Sequence, residues 1–375
     1  MIPVNEPLIS KNALKYVTDC VKTGWISSSG SYIKKFEDEF AKFVGVKHAI
    51  TTTNGTTALH LALATLGIRK GDEVIVPSHT MMASAAAVVY TGATPVFVDV
   101  KRDSWNMDVD KVEKLITKKT KAIMPVHIYG LPVEMDPILK LAKKYKLYIV
   151  EDAAESLGAK YKSKMTGSMG IIGCFSFYAN KIVTTGEGGM ITTNNDKLAK
   201  KARMLKDLAH SPKHRFMHTE IGYNYRMTNM QAALGLAQLE QVNEFIKQKE
   251  IMASLYNKNL SKIKGLTLPM RSENSNNVYW MYGMLIEKEF GINRDEFRQK
   301  LLEKGIDTRT FFIPMHKQPA LIKLGFARNS KCPVSEEIGK RGLYLPSGLA
   351  ITKKQILTVC NTIKNIQENM IGNKK

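Results

Sequence analysis

Phe175-Ser176-Phe177-Tyr178-Ala179-Asn180-Lys181-Ile182-Val183-Thr184-Thr185-Gly186-Glu187-Gly188-Gly189 is the stretch whose reading decides the fold of this chain. It opens on an apolar run with the look of a strand, sets a lysine five places after a serine, and runs on into a glycine-rich turn. A lysine that follows a buried strand is poorly explained as one more solvated charge. The spacing suits pyridoxal phosphate: the Lys181 amine can form a Schiff base with the aldehyde, and the Ser176 hydroxyl is near enough along the chain to reach the phosphate.

Two upstream segments extend this reading. Leu147-Tyr148-Ile149-Val150 reads as a strand and leads into Glu151-Asp152-Ala153-Ala154-Glu155, so Asp152 falls at the C-terminal mouth of a buried strand, where ligands of open α/β sheets bind. A carboxylate there can keep a pyridine nitrogen protonated. Capping the next helix is the plainer role for such an Asp. After a further strand, His48-Ala49-Ile50-Thr51, the segment Thr53-Asn54-Gly55-Thr56-Thr57 opens an amphipathic helix. Its free N–H groups and dipole make a phosphate cradle, to which Thr56 and Thr57 can add hydroxyls. The order counts for more than any one part: phosphate turn, Asp, Lys, each following a strand.

From Trp25-Ile26-Ser27-Ser28 to about Pro346 the chain resembles the nucleotide-sugar aminotransferases of the DegT type. The resemblance is carried by Ala122-Ile123-Met124-Pro125-Val126-His127-Ile128-Tyr129-Gly130, by Asn180-Lys181 through Gly189-Met190, and by Ile221-Gly222-Tyr223-Asn224-Tyr225-Arg226-Met227-Thr228-Asn229. Trp280-Met281-Tyr282 and Pro314-Met315-His316 extend it. It implies a fold type I α/β architecture, with a large, mostly parallel sheet domain in residues 1–245 and a smaller α+β domain in 246–375. It also implies pyridoxal phosphate, with pyridoxamine phosphate as the intermediate form. Lys181 would carry the cofactor, Asp152 would face its ring nitrogen, Glu155 would sit near the ring and its 3-hydroxyl, and Ser176 would hold the phosphate. Asn224 would reach the phosphate of a partner subunit, which makes a homodimer with shared sites.

The amino group would pass from glutamate, leaving 2-oxoglutarate, to C4 of a nucleotide-linked 4-keto-6-deoxy sugar. GDP-4-keto-6-deoxymannose is expected ahead of UDP- or dTDP-4-keto-6-deoxyglucose. Trp25 and Ser27, in a loop, together with His127, Thr185, Arg226, Arg309 and His316, are the candidate contacts to sugar and donor. The arginines offer planar forks for carboxylate or pyrophosphate oxygens. Two positions depart from the family pattern: Met81 stands where an aromatic residue usually packs on the cofactor ring, and Thr310 stands where a Pro commonly follows Arg309. Same-fold dehydratases replace the lysine by histidine, and Lys181 tells against that reading. A non-enzymatic binding protein on the same fold is the remaining alternative.

Composition narrows the class further. With 375 residues, 44% of them hydrophobic, the chain can bury a substantial core. No apolar run approaches the roughly 20 residues of a membrane span and no signal peptide is visible, so a cytosolic enzyme is expected. Fifty-five Lys and Arg against 34 Asp and Glu give a net charge of +21. The basic residues are scattered in pairs such as Lys143-Lys144 and Lys200-Lys201 without interleaved aromatics, so no nucleic-acid partner is expected. The positive field suits a diphosphate-linked sugar and a dicarboxylate donor. Cys20, Cys174, Cys332 and Cys360 are too dispersed for a metal site and read as ordinary thiols. Helical periodicity at 11–22 and 32–43 precedes alternating strands and helices up to 150, and a helix from 227 continues toward 253. A strand at 279–286 and helices at 294–304 and 353–366 follow, before a tail that should fray at 372–375.

Overall fold

Short runs rich in β-branched and apolar residues become buried strands in the computed structural model, which describes residues 1–211, 214, 216–327 and 330–372. The expected fraying at 373–375 lies outside the described residues, and residue 372 closes the last helix. The strands in the first part of the chain are β1 (His48–Thr52), β2 (Glu73–Pro77), β3 (Thr94–Val98), β4 (Thr120–Ile123), β5 (Tyr148–Asp152), β6 (Lys160–Tyr161), β7 (Lys164–Met165), β8 (Ile172–Ser176) and β9 (Gly189–Thr193). Seven of them form one sheet in the order β1-β9-β8-β5-β4-β2-β3. Only β9 runs against its neighbours, so the expected mostly parallel sheet is what forms. Because β5, β8 and β1 share a direction, their C-terminal ends, and the residues that follow them, open on one edge.

The rest of the chain supplies β10 (Leu266–Thr267), β11 (Ser275–Asn276), β12 (Tyr282–Ile286), β13 (Arg309–Thr310) and β14 (Gly342–Leu345). Four of these make an antiparallel sheet, β10-β12-β14-β13, while β11 joins β6 and β7. The helices Arg294–Glu303 and Lys353–Gly372 pack on that sheet through Phe297, Leu301, Val359 and Ile363. The chain's first residues also belong here, since Ile2 bridges Ile306 and the Ser347 N–H donates to the Val4 carbonyl.

Two expected elements differ. The single helix from 227 is two, Asn229–Leu239 and Val242–Leu260, because the backbone leaves helical geometry at Gln241 (φ −111°, ψ 9°). The strand expected from 279 starts only at Tyr282, since Tyr279 is left-handed (φ 48°).

An aromatic cluster seals the sheet against the C-terminal unit. His79, just past β2, lies 5.9 Å from the Tyr129 ring, 5.4 Å from Phe311 and 6.0 Å from Phe312, and burial pushes its pKa down to about 3. The ring is therefore neutral in the fold, whereas an unfolded histidine titrates near 6.5. Below that pH the unfolded state takes up a proton that the folded state refuses, so stability falls, by about 2 kcal/mol on going from pH 7 to pH 5. His79→Phe should lose about that much less over the same interval in urea melts. Equal losses for both proteins would place the acid sensitivity elsewhere.

Candidate active site

The edge where β1, β5 and β8 end gathers the residues singled out from the sequence. Asp152 closes β5 and is buried. Its Oδ2 accepts a hydrogen bond from Ser84 Oγ at 2.7 Å and its Oδ1 one from the Ala154 N–H at 3.2 Å, so it caps the following turn and still faces the cavity. Burial raises its pKa, against the pull of these bonds and of Lys181. Ser84 Oγ lies 2.9 Å from Thr80 Oγ1, giving a short hydroxyl chain behind the carboxylate. Glu155, on the same loop, accepts from the Tyr129 N–H at 2.8 Å, and burial pushes it up to about 7.

Lys181 follows β8 through a turn closed by its own N–H on the Tyr178 carbonyl at 2.9 Å. Its Nζ sits 3.5 Å from the centre of the Trp280 ring. Burial pushes its pKa down, while the charges of Glu155 and Asp152 pull it back up. The net direction is down, which makes the amine more readily available as a nucleophile than a surface lysine.

After β1, Asn54 and Thr57 form a capping box that starts the helix Gly55–Thr65. Gly55 is required by close approach: a Cβ there would lie 2.8 Å from the Ser176 Cβ. The helix N-terminus and the Ser176 hydroxyl can thus flank one anion. The Thr57 hydroxyl is not available to it, because it donates to the Asn54 carbonyl at 2.8 Å and accepts from the Asn54 N–H at 3.1 Å. In this structure the Thr57 hydroxyl is occupied within the capping box, and Gly55, Thr56 and Ser176 are the cradle residues that face the cavity.

Gly55, Thr56, Met81, Asp152, Glu155, Ser176 and Lys181 line a single cavity of about 490 Å³, closed on the other side by Trp280, Phe312 and Tyr344 of the C-terminal unit. An anion cradle, a buried carboxylate and a primary amine around a space of this size fit pyridoxal phosphate. Trp280 and Ser84 were not picked out as site residues from the sequence. Trp280 carries only the likeness of its segment, and Ser84, three residues after Met81, has no local sign that its hydroxyl turns to Asp152.

Several sugar candidates are placed elsewhere. The His127 ring is fully buried, with Nε2 3.1 Å from Glu151 Oε2 and Nδ1 accepting from the Val133 N–H at 3.0 Å, and it does not line the cavity. His316 is held in the same way between Ser78 Oγ at 2.6 Å and Glu336 Oε1 at 3.1 Å, and the Thr185 hydroxyl donates to the Glu187 carbonyl at 2.7 Å. Both are buried and neither lines the cavity. Trp25, Ser27, Asn224, Arg226 and Arg309 lie outside the walls that one chain forms. Trp25 is mostly exposed, and its carbonyl and that of Ser27 accept from Asn229. Arg226 pairs with Asp207 at 2.8 Å and donates to Asn224 Oδ1 at 3.0 Å. Arg309 pairs with Asp307 at 2.5 Å, opposite Tyr344 in the sheet.

The sequence matches the profile of the DegT/DnrJ/EryC1/StrS aminotransferase family over residues 7–364. A protein of Escherichia coli O157:H7 named GDP-perosamine synthase is 44% identical over 362 residues, spanning 96% of this chain and 97% of its own. One of the same name from Caulobacter vibrioides is 46% identical, with 95% of both chains covered. The crystal structure of S. venezuelae DesV in complex with a ketimine intermediate superposes with a TM-score of 0.89 at 35% identity, over 95% of this chain and 94% of that one. The chain belongs to the DegT/DnrJ/EryC1/StrS aminotransferase family. It is an aminotransferase that uses pyridoxal phosphate, on the fold expected for one. Among the described residues no helix is long and apolar enough to cross a membrane, and no His, Cys, Asp and Glu group could hold a metal.

Proposed function

We propose that this chain moves the amino group of glutamate to C4 of GDP-4-keto-6-deoxymannose, giving GDP-perosamine. The observation that carries the reading is likeness along nearly the whole chain to two proteins named for that product, joined to a cavity that holds Lys181, Asp152 and an anion cradle together. Pyridoxal phosphate, when bound, supplies an electron-accepting ring that makes the proton on an amine-bearing carbon removable. The residues of the chain do the rest. Gly55, Thr56 and Ser176 hold the phosphate, and Asp152 sets the charge of the ring nitrogen. Lys181 Nζ takes the proton from the donor's amine-bearing carbon and, in the second half-reaction, delivers one to C4 of the sugar. One amine serves both halves, so the kinetics are ping-pong.

The test offers GDP-, UDP- and dTDP-linked 4-keto-6-deoxy sugars with glutamate and reads product mass. A preference of roughly a hundredfold or more for GDP is the expected result, about 2.7 kcal/mol in transition-state binding. An equal preference for a UDP- or dTDP-sugar overturns the GDP assignment and leaves the aminotransferase in place.

The reading includes a homodimer in which Asn224, outside its own chain's cavity, serves the neighbouring site. Mixing inactive Lys181→Ala and Asn224→Ala subunits should then restore part of the activity, since one hybrid site receives both intact residues. An active monomer in light scattering would refute it.

A further inference from the structure

Lys249 stands in Lys247-Gln248-Lys249-Glu250, a run that reads as the wet face of a helix, yet only 2% of the residue is exposed. Among the described residues no carboxylate pairs with it. Its Nζ donates to the carbonyl of Trp280 at 3.1 Å and to that of Ser347. Both carbonyls lie just beyond the last rung between β12 and β14, where Tyr282 faces Leu345 and the strands part. There the Ser347 hydroxyl accepts from the Tyr282 N–H at 2.9 Å and donates to the Leu345 carbonyl at 2.6 Å. An ammonium can serve two acceptors from one point, but it is a costly group to bury. Burial pushes this one down to about 7.

What the Lys249 amino group holds is the wall of the active site. The Trp280 ring faces Lys181 Nζ at 3.5 Å, and its Nε1 donates at 2.8 Å to the carbonyl of Asn180, the residue before that lysine. On the other side, Tyr279 is left-handed, and a Cβ on Gly130 would come within 2.7 Å of the Tyr279 nitrogen and 2.8 Å of the Trp280 nitrogen. The Trp280 main chain thus runs close against Gly130 on its N-terminal side, where only a glycine fits, and is tied at its carbonyl by Lys249. A left-handed backbone such as that of Tyr279 persists where the surroundings over-determine it.

We infer that Lys249 is a positioning residue of the aminotransfer site: its side-chain amino group fixes the Trp280 main chain and, through it, the indole face that covers the Lys181 amine. This rests on Lys181 being the reactive amine. The test uses Lys249→Met, Trp280→Phe and the double variant, and reads acetylation of Lys181 in the cofactor-free protein by peptide mass spectrometry. The kcat and KM of the glutamate half-reaction are read alongside. Each single variant is expected to change the labelling rate of Lys181 by roughly threefold to tenfold, the size of a cation–π contact to a desolvated amine, and to lower kcat more than it raises KM. In the Trp280→Phe background the Lys249 substitution should add nothing further to either quantity. If Lys249→Met does not fold, Lys249→Gln takes its place in the same cycle. Two results overturn the inference: unchanged Lys181 labelling in the folded Lys249 variant, or a labelling change that persists in full without Trp280. Labelling is read without substrate, so a wrong nucleotide assignment leaves this outcome untouched.

Discussion

Lys181→Ala is expected to cut turnover by roughly a thousandfold or more while leaving the cofactor-free protein no less stable than before. The loss is large because one amine acts as both attachment point and proton carrier, and the two buried carboxylates that line the cavity are engaged elsewhere, Asp152 by the Ser84 hydroxyl and the Ala154 N–H and Glu155 by the Tyr129 N–H. Stability should hold because the amine lies against the Trp280 ring in a site whose burial disfavours its charged form. Burying such a charge opposes folding, so its removal relieves a cost. Melting must be compared without cofactor, since a ligand that binds only the folded state raises the apparent midpoint. Borohydride treatment of the wild type with pyridoxal phosphate should label the peptide that carries Lys181. Label on another lysine, or normal turnover in the variant, would remove Lys181 from its role.

Asp152→Asn should lower kcat by about a hundredfold or more, again with little change in melting temperature. The amide keeps an oxygen for the Ala154 N–H, now 3.2 Å away. Its NH₂ would meet Ser84 Oγ, which can reverse its role and donate to Thr80 Oγ1 at 2.9 Å instead. Packing and hydrogen bonding are therefore preserved, and only the negative charge is lost. That charge is what a protonated ring nitrogen requires, in a site with little water to replace it. A variant with full activity and a much lower melting temperature would show that Asp152 serves the fold as a cap and nothing more.

The parts of the site that were legible in the sequence share one property: each follows a strand recognisable from its own composition. Apolar runs at β1, β5 and β8 put Gly55, Asp152 and Ser176 at strand ends, and parallel strands bring their ends to one edge whatever lies between them. The burial of His127, Thr185 and His316 is not legible, because a polar side chain in a family-like segment looks the same whether it meets a ligand or a distant partner. Glu151, Glu187, Ser78 and Glu336 claim those groups, and for His316 the partners come from 238 and 20 residues away. For Thr57 the partner is local: an Asn three residues before it closes a capping box that engages the hydroxyl.

The amino-acid sequence by itself determined the order of the strands' chemistry, the lysine and its spacing from Ser176, and the glycine that admits an anion beside a helix end, because these depend on neighbours within a few residues. Tertiary structure alone decided which charges are buried. Lys249 sits in a run that reads as solvated, and becomes a buried tie only because the ends of β12 and β14 meet the helix Val242–Leu260 there. Trp280, far along the chain from Lys181, covers that amine for the same reason: the C-terminal sheet folds back over the edge of the large one, and no local pattern records a contact between residues 99 positions apart.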